Sequence, residues 1–329
     1  MRVNFIFRKR GINHNSIEGL FNAIIADLPK EVEVNIVELP YSGASLKAII
    51  LNIWHVLFLK GVLHITGDVH YIGLIPFKKT VLTIHDVNSI IKGNALKQFI
   101  FKTIWFTIPA LFIKKITVVS KFSKKEILEV IPQAIAKIQV VYNPVNPLFS
   151  KNIKAFNKQK PTILHLGTKS NKNLENTIKA LDGLSCKLVI VGNLNEHYKT
   201  ILKTHKVDYL NYNNLTFEEI VTLYQNCDIV SFVSFYEGFG LPIIEAQKTG
   251  RVVITSNKAS IPEIGQDAVH YVDPCNIEAI RYGFQKIIED DTYRQQLIDK
   301  GFENVKRFDL NNITQQYLEI YNTIATDEY

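Results

Sequence analysis

Residues 231–250, SFVSFYEGFGLPIIEAQKTG, read as a strand, a glycine-containing turn and a helix. Phe232 and Val233 close an apolar run that begins at Ile229, the pattern of a parallel strand buried on both faces. Gly238 and Gly240 bracket Phe239, so the backbone can turn sharply and lie close to a ligand. Pro242 suits the first turn of a helix, where its missing N–H costs nothing, and Gly250 suits the far end. Amides at such a helix start point at whatever sits over the turn, which makes it an anion site. Glu237 at the loop mouth and Glu245, about two helical turns further on, flank that site. Carboxylates beside an anion site suit hydroxyl groups, as on a sugar or a ribose, better than phosphate.

The same alternation of strand and helix runs through the whole chain. In the first half, strands are expected at Arg2–Phe7, Val32–Leu39, Val62–Thr66, Thr80–Ile84, Ile116–Ser120 and Gln139–Tyr142. Helices are expected at Ile17–Leu28, Ser45–Leu59 and Ala95–Phe112, the last bent or broken by Pro109. A further helix, Lys124–Val130, has Ser123 at its cap and Glu126 at the capping-box position. Asn143–Pro147 and the lysine-rich Lys151–Lys160 read as an inter-domain linker. The second half restarts with strand Thr162–Leu166 and ends with a helix over Asn312–Ala325 that could pack back across the first half. The expected architecture is α/β: two Rossmann-like doubly wound sheets facing a cleft. The domains are residues 1–150, residues 151–308 and a returning C-terminal helix at 309–329.

Charge is uneven along the chain. Residues 1–150 carry 18 Lys and Arg against 9 Asp and Glu, whereas residues 151–329 carry 20 against 22. A basic first half fits an anionic membrane surface or a phosphorylated lipid acceptor, or serves only solubility. Zinc spacings, RNP-type strands and basic recognition helices are missing from the sequence, so nucleic acid is not an expected partner. The longest apolar runs, Ala48–Leu59 and Phe99–Ile113, fall short of the roughly 20 residues that span a bilayer. They read as half-buried helices able at most to lie on a membrane. Cys186, Cys227 and Cys275 are widely spaced, which suits neither zinc nor a disulfide framework and points to the reducing cytoplasm. No two aspartates sit two apart, so no D-x-D metal–nucleotide motif is present.

Several segments together resemble one family. The series Glu237-Gly238-Phe239-Gly240-Leu241-Pro242, Glu245-Ala246, Gly250, Val252-Val253, Ser256, Pro262-Glu263 and Asp273-Pro274 is similar to the signature of retaining glycosyltransferases of family 4. Ile163–Leu181 resembles the first strand–loop–helix of that family's donor domain, and Val118–Ser123 and Val140–Asn146 resemble two shorter segments. The resemblance implies a GT-B fold and transfer of a hexose from a nucleotide diphosphate sugar to an acceptor hydroxyl. A surface polysaccharide or lipid-linked glycan is the acceptor class it suggests. It assigns Glu245 to the ribose hydroxyls and Glu237 to the transferred sugar. The backbone of Gly238, Phe239, Gly240 and Leu241 would meet sugar and phosphates, and Lys172 would neutralise the diphosphate.

Gly167, Thr168, Lys169, Gly192 and Leu215 fall on the donor side by the same resemblance, as do Gly11 and Asn15 of the first loop. The family arginine after the glycine is here Thr168, with Lys169 one place on as a point charge. His85, in a T-x-H-D pattern, matches the family's histidine beside the donor sugar, and His70 ends another expected strand where an acceptor could touch it. The family needs neither metal nor cofactor, and its front-face route lets the leaving phosphate help deprotonate the acceptor. Two alternatives stay open at this point: a nucleotide-sugar 2-epimerase of the same architecture, and a catalytically silent GT-B binding subunit.

Overall fold

The computed structural model describes residues 1–9, 16–87 and 95–326. The chain divides into two compact units, Met1–Pro144 with Leu310–Tyr329, and Val145–Asp309.

Unit 1 holds a parallel sheet of six strands, β1 (Arg2–Phe7), β2 (Glu33–Glu38), β3 (Val62–Ile65), β4 (Thr80–Ile84), β5 (Lys115–Val118) and β6 (Ile138–Val140), in the order β2-β1-β3-β4-β5-β6. Every residue of β3 and β4 is buried, as strands covered on both faces must be, while β2 at the edge is largely exposed. The order reverses between β1 and β3, which is where doubly wound sheets leave a crevice at their carboxyl edge.

Unit 2 repeats the plan with β7 (Thr162–Leu166), β8 (Lys187–Val191), β9 (Asp208–Tyr212), β10 (Ile229–Phe232), β11 (Val252–Ser256) and β12 (His270–Val272). Its order is β12-β11-β10-β7-β8-β9, so the chain winds outward from β7 and then returns to β7's other side as β10. The reversal point therefore lies between β7 and β10.

Three local expectations are corrected. Ser120, not Ser123, caps the helix after β5: the helix runs Lys121–Val130, and Ser120 Oγ accepts from Ser123 N–H at 2.9 Å. With two serines three positions apart, the first takes the cap and the second becomes the capped donor. Pro109 does not end its helical segment. Helix Ala95–Lys102 passes through a π turn, Thr103–Thr107, into helix Ile108–Phe112. There Ile108 N–H reaches Thr103 O, and the wider turn accommodates the proline that follows. Residues 151–160 are not a free linker. Arg251 Nη2 donates to Asn152 Oδ1 at 2.6 Å, and Lys154 pairs with buried Asp228, whose carboxylate also accepts from Thr162 N–H at 2.8 Å.

The C-terminal helix Leu310–Thr326 belongs to unit 1. Its Tyr317 and Tyr321 are buried, and the Tyr321 hydroxyl lies 2.6 Å from His64 Nδ1 on β3. His64 Nε2 in turn lies 2.8 Å from Thr83 Oγ1 on β4. Burial, reinforced by nearby His85, pushes His64 down to about 3, so the ring is neutral at physiological pH.

Tyr321→Phe leaves His64 Nδ1 buried without its partner and should destabilise unit 1 by about 1–3 kcal/mol. Both tryptophans, Trp54 and Trp105, lie in this unit, so urea unfolding followed by tryptophan fluorescence reads the loss directly. The same probe tests a pH effect. His64 and His70 titrate at about 3 and about 4 in the folded chain. Unfolded histidine titrates near 6.5, so each contribution is intact above that pH and shrinks as pH falls toward the folded value, by about 1.4 kcal/mol per unit. The urea midpoint should hold from pH 8 to 7 and drop steeply between pH 6 and 5.

Candidate functional site

The loops after β7 and β10 leave the same edge of the unit 2 sheet, at the reversal point. After β7, Gly167 adopts φ +92°, and a methyl group there would come within 3.0 Å of Lys172 Cγ. Glycine thus lets the Lys172 chain fold back over the backbone. Ser170–Lys172 form a single 3₁₀ turn closed by Lys172 N–H on Lys169 O at 2.8 Å, with the Lys169 side chain exposed. Asn173 then takes a left-handed conformation, its side chain donating to Pro274 O at 2.8 Å. Thr168 lies against Gly192 at the end of β8, where a methyl group would meet Thr168 Cγ2 at 3.0 Å.

After β10 the chain runs through Glu237–Gly240 into helix Leu241–Thr249. Gly240 is its N-cap in the left-handed region, no side chain caps the helix, and Pro242 occupies the first turn. Pro242 has no N–H and Ile243 N–H turns back to Gly240 O at 3.0 Å, so Leu241 N–H is the first-turn amide that faces a ligand or water. Phe239 contributes backbone rather than side chain, since its ring is buried edge-on to Phe308 at 5.6 Å. Ser260 Oγ reaches Glu237 O at 2.9 Å and Phe239 O at 2.7 Å, and Ser256 Oγ donates to Ser234 O at 2.6 Å. These serines pin an irregular loop from the end of β11 and the turn that follows it.

The two loops meet through charge. Lys172 Nζ lies 2.8 Å from Glu237 Oε1, both side chains mostly buried, and the ammonium stands 5.0 Å from the centroid of the Phe232 ring. Asn171 supports the pair, donating to Glu237 Oε1 at 3.3 Å and to Tyr236 O at 3.2 Å. Glu245, one face further along the helix, is partly buried and accepts from the Tyr224 hydroxyl at 2.5 Å. Loss of hydration raises the Glu245 carboxyl to about 7, against the lowering pull of Tyr224 and Lys172. The site thus brings together one ammonium, one ion-paired carboxylate and one carboxyl poised near neutrality. Leu215 is partly buried immediately before Thr216, the N-cap of the helix that carries Tyr224.

In unit 1, His85 follows β4 with Nε2 2.8 Å from Thr66 O. Only an N–H can satisfy a carbonyl, and burial holds the ring below its usual pKa. Nδ1 is then a bare acceptor suited to a hydroxyl donor. Arg8, at the end of β1, pairs with Glu18 at 3.0 Å and with Asp68. His70 is not at a strand end. It opens a 3₁₀ turn, His70–Leu74, and is buried with its ring edge-on to Phe106 at 4.9 Å. A ring so enclosed has no open face for an acceptor. Gly11 and Asn15 lie outside the described residues.

Sequence reasoning missed three groups. Tyr224 carries no motif. Arg8 opens a polar loop and carries no motif either. His165 interrupts the apolar strand β7, which was a usable signal: it is buried, and neither ring nitrogen has a hydrogen-bond partner among the described residues. Burial and nearby Lys172 push it to about 3. Among the described residues no group of three or more His, Cys, Asp or Glu could hold a metal ion.

Residues 148–304, which contain this whole loop system, match the family described as Glycosyl transferases group 1. Over 107 residues the chain is 36% identical to O-antigen chain mannosyltransferase B of Escherichia coli, covering 32% of this chain and 28% of that protein. It is 26% identical over 234 residues to Uncharacterized glycosyltransferase MJ1607 of Methanocaldococcus jannaschii, covering 63% of this chain and 59% of that protein. The aligned parts thus span between 28% and 59% of these two curated relatives. The crystal structure of Anabaena Alr3699/HepE in complex with UDP and glucose superposes with a TM-score of 0.79 at 15% identity, covering 98% of this chain and 100% of that one. The chain has the two-sheet GT-B fold, and its second unit is related to the group 1 glycosyl transferases.

Proposed function

We propose that this protein transfers a hexose from a nucleotide diphosphate sugar to an acceptor hydroxyl with retention, in the synthesis of a surface polysaccharide or lipid-linked glycan. The observation that carries the reading is the convergence of Lys172, Glu237 and Glu245 on the uncapped start of helix Leu241–Thr249. Kinship with an O-antigen mannosyltransferase supports the acceptor class, and the UDP and glucose bound by a protein of the same fold support the donor class.

In this reading Glu245, held by Tyr224, accepts the two ribose hydroxyls. Lys172 turns from Glu237 to the diphosphate, where a fixed cation lowers the cost of charge building on the leaving group. The amides of Gly240 and Leu241 meet phosphate or sugar hydroxyls, and Glu237 holds the transferred sugar. His85 offers its Nδ1 to a sugar hydroxyl. The leaving phosphate oxygen takes the acceptor's proton as the new glycosidic bond forms on the same face. Lys172 and the helix amides supply the positive charge, so the transfer is metal-independent and proceeds unchanged in EDTA. The buried free thiols Cys186 and Cys227 fit a cytoplasmic site of action.

One observation favours a second reading. Thr168 stands where the family has arginine and packs against Gly192, so a binding subunit without turnover is the competing reading. Incubation of GDP-mannose or UDP-glucose with a lipid-linked glycan acceptor, followed by mass spectrometry, decides: a hexose added to the acceptor supports transfer. Tight donor binding without product across acceptors supports the silent subunit, and an altered sugar without acceptor supports an epimerase.

Two variants probe the assignments. A carboxylate that accepts two hydroxyls must be ionised, so donor affinity should rise between pH 6 and 8 and fall about tenfold per unit below the Glu245 pKa of about 7. Calorimetry with a nucleotide sugar, whose diphosphate does not titrate in this range, should show proton release on binding. Glu245→Gln should weaken binding about tenfold and flatten the profile. Lys172→Met should lower turnover by about 10²–10³-fold, with a smaller change in donor affinity, in steady-state and binding assays.

A further inference from the structure

Helix Leu46–Leu57 is apolar on two sides. Its inner side places Ala48, Ile49, Asn52 and Val56 in the interior, and Ile49 and Val56 join the unit 1 core. Its outer side carries a second stripe at every fourth position: Leu46, Ile50, Trp54 and Phe58 are 74%, 56%, 63% and 71% exposed. Residues four apart share a helix face, so this stripe is continuous. Its end is ordered, because the Trp54 and Phe58 rings meet edge to face with centroids 5.4 Å apart. A helix apolar all round is ordinarily buried all round, and a contiguous exposed patch marks an interaction site.

The patch continues past the helix. Lys78 Nζ donates to Leu59 O at 2.8 Å, which brings the 77–78 turn to the end of the stripe. Phe77 there is 82% exposed at φ 61°, a conformation that costs a bulky residue energy and here displays an aromatic ring to solvent. Along this stretch of the chain the charges are almost all of one sign. From residue 39 to residue 85 the only acid is Asp68, already paired with Arg8, against Lys47, Lys60, Lys78 and Lys79.

We infer that this face of unit 1 docks on the interfacial region of an anionic lipid bilayer. Leu46, Ile50, Trp54, Phe58 and Phe77 enter the acyl boundary, and Lys47, Lys60 and Lys78 meet headgroup anions. Trp and Phe with a lysine rim are the side chains that gain most at such an interface. A second copy of the chain fits poorly, since a two-fold contact would set like charges against each other. Among the described residues no helix is long and apolar enough to cross a membrane, so the contact is with a surface. The inference rests on the transfer reading only for the idea that the acceptor is lipid-linked; the surface stands independently.

The test uses the full chain with vesicles of phosphatidylcholine alone or mixed equally with phosphatidylglycerol. The protein should co-sediment with the anionic vesicles, with a blue shift of tryptophan emission that Trp54→Phe removes while buried Trp105 remains. Trp54→Ser with Phe58→Ser should cut vesicle affinity at least ~10-fold without changing the melting temperature, because both rings are exposed. Lys60→Glu with Lys78→Glu should abolish the preference for phosphatidylglycerol. No binding to anionic vesicles, or binding that the Trp54 and Phe58 changes leave intact, overturns the inference. A dimer that those changes dissolve, without vesicle binding, overturns it in favour of a protein contact. A wild type that binds vesicles but no nucleotide sugar upholds this surface and refutes the transfer reading.

Discussion

The parallel pairing of β7 with β10, in which Ser231 lies opposite His165, is the contact on which the candidate site depends. Parallel neighbours cannot be joined by a hairpin, so the chain must cross over between them. Here it passes through β8 and β9 before returning. Both loops then leave one edge of the sheet and diverge, and side chains far apart in sequence become neighbours. Lys172 and Glu237 are 65 residues apart along the chain and 2.8 Å apart in space. The loops can be irregular there because serines of the next strand and turn take up their carbonyls. The geometry that frees the helix start for a ligand also holds it still.

Environment, not residue type, then separates the two glutamates. Glu237 has the Lys172 ammonium and the Asn171 amide as partners. Glu245 trades hydration for one tyrosine hydroxyl and sits near neutrality. A carboxyl whose pKa is raised by burial beside a loop system is a common sign of function. In unit 1 the same physics keeps His85 neutral: a carbonyl fixes its tautomer and burial suppresses its charge. His64 of β3 meets Tyr317 and Tyr321, whereas its neighbours Leu63 and Ile65 join the core with Ile49 and Val56 of helix Leu46–Leu57, so changes to the exposed stripe of that helix leave the hydrogen bonds of His64 alone.

The order of strands and helices was legible because buried strands and half-buried helices leave different apolar periods, and most element bounds agree within a residue or two. Deviations have local causes. Two serines competed for one cap, a π turn precedes a proline, and a lysine-rich stretch that read as a linker is laced to Asp228 and Arg251 through Lys154 and Asn152. His70 looked like a strand-end residue but lies in a turn against Phe106, because the strand before it ends at Ile65.

By itself the sequence determined two βα arrays, an uncapped glycine–proline helix start and the two carboxylates beside it, since these depend only on backbone preference and short spacing. Tertiary structure decided which groups those carboxylates meet. The Tyr224 hydroxyl, the Lys172 ammonium and the face left open on helix Leu46–Leu57 are set by which strands pair and which surfaces pack. Those are long-range choices, and a periodic pattern of apolar residues does not encode them: it says that a face will be buried or paired, not by what.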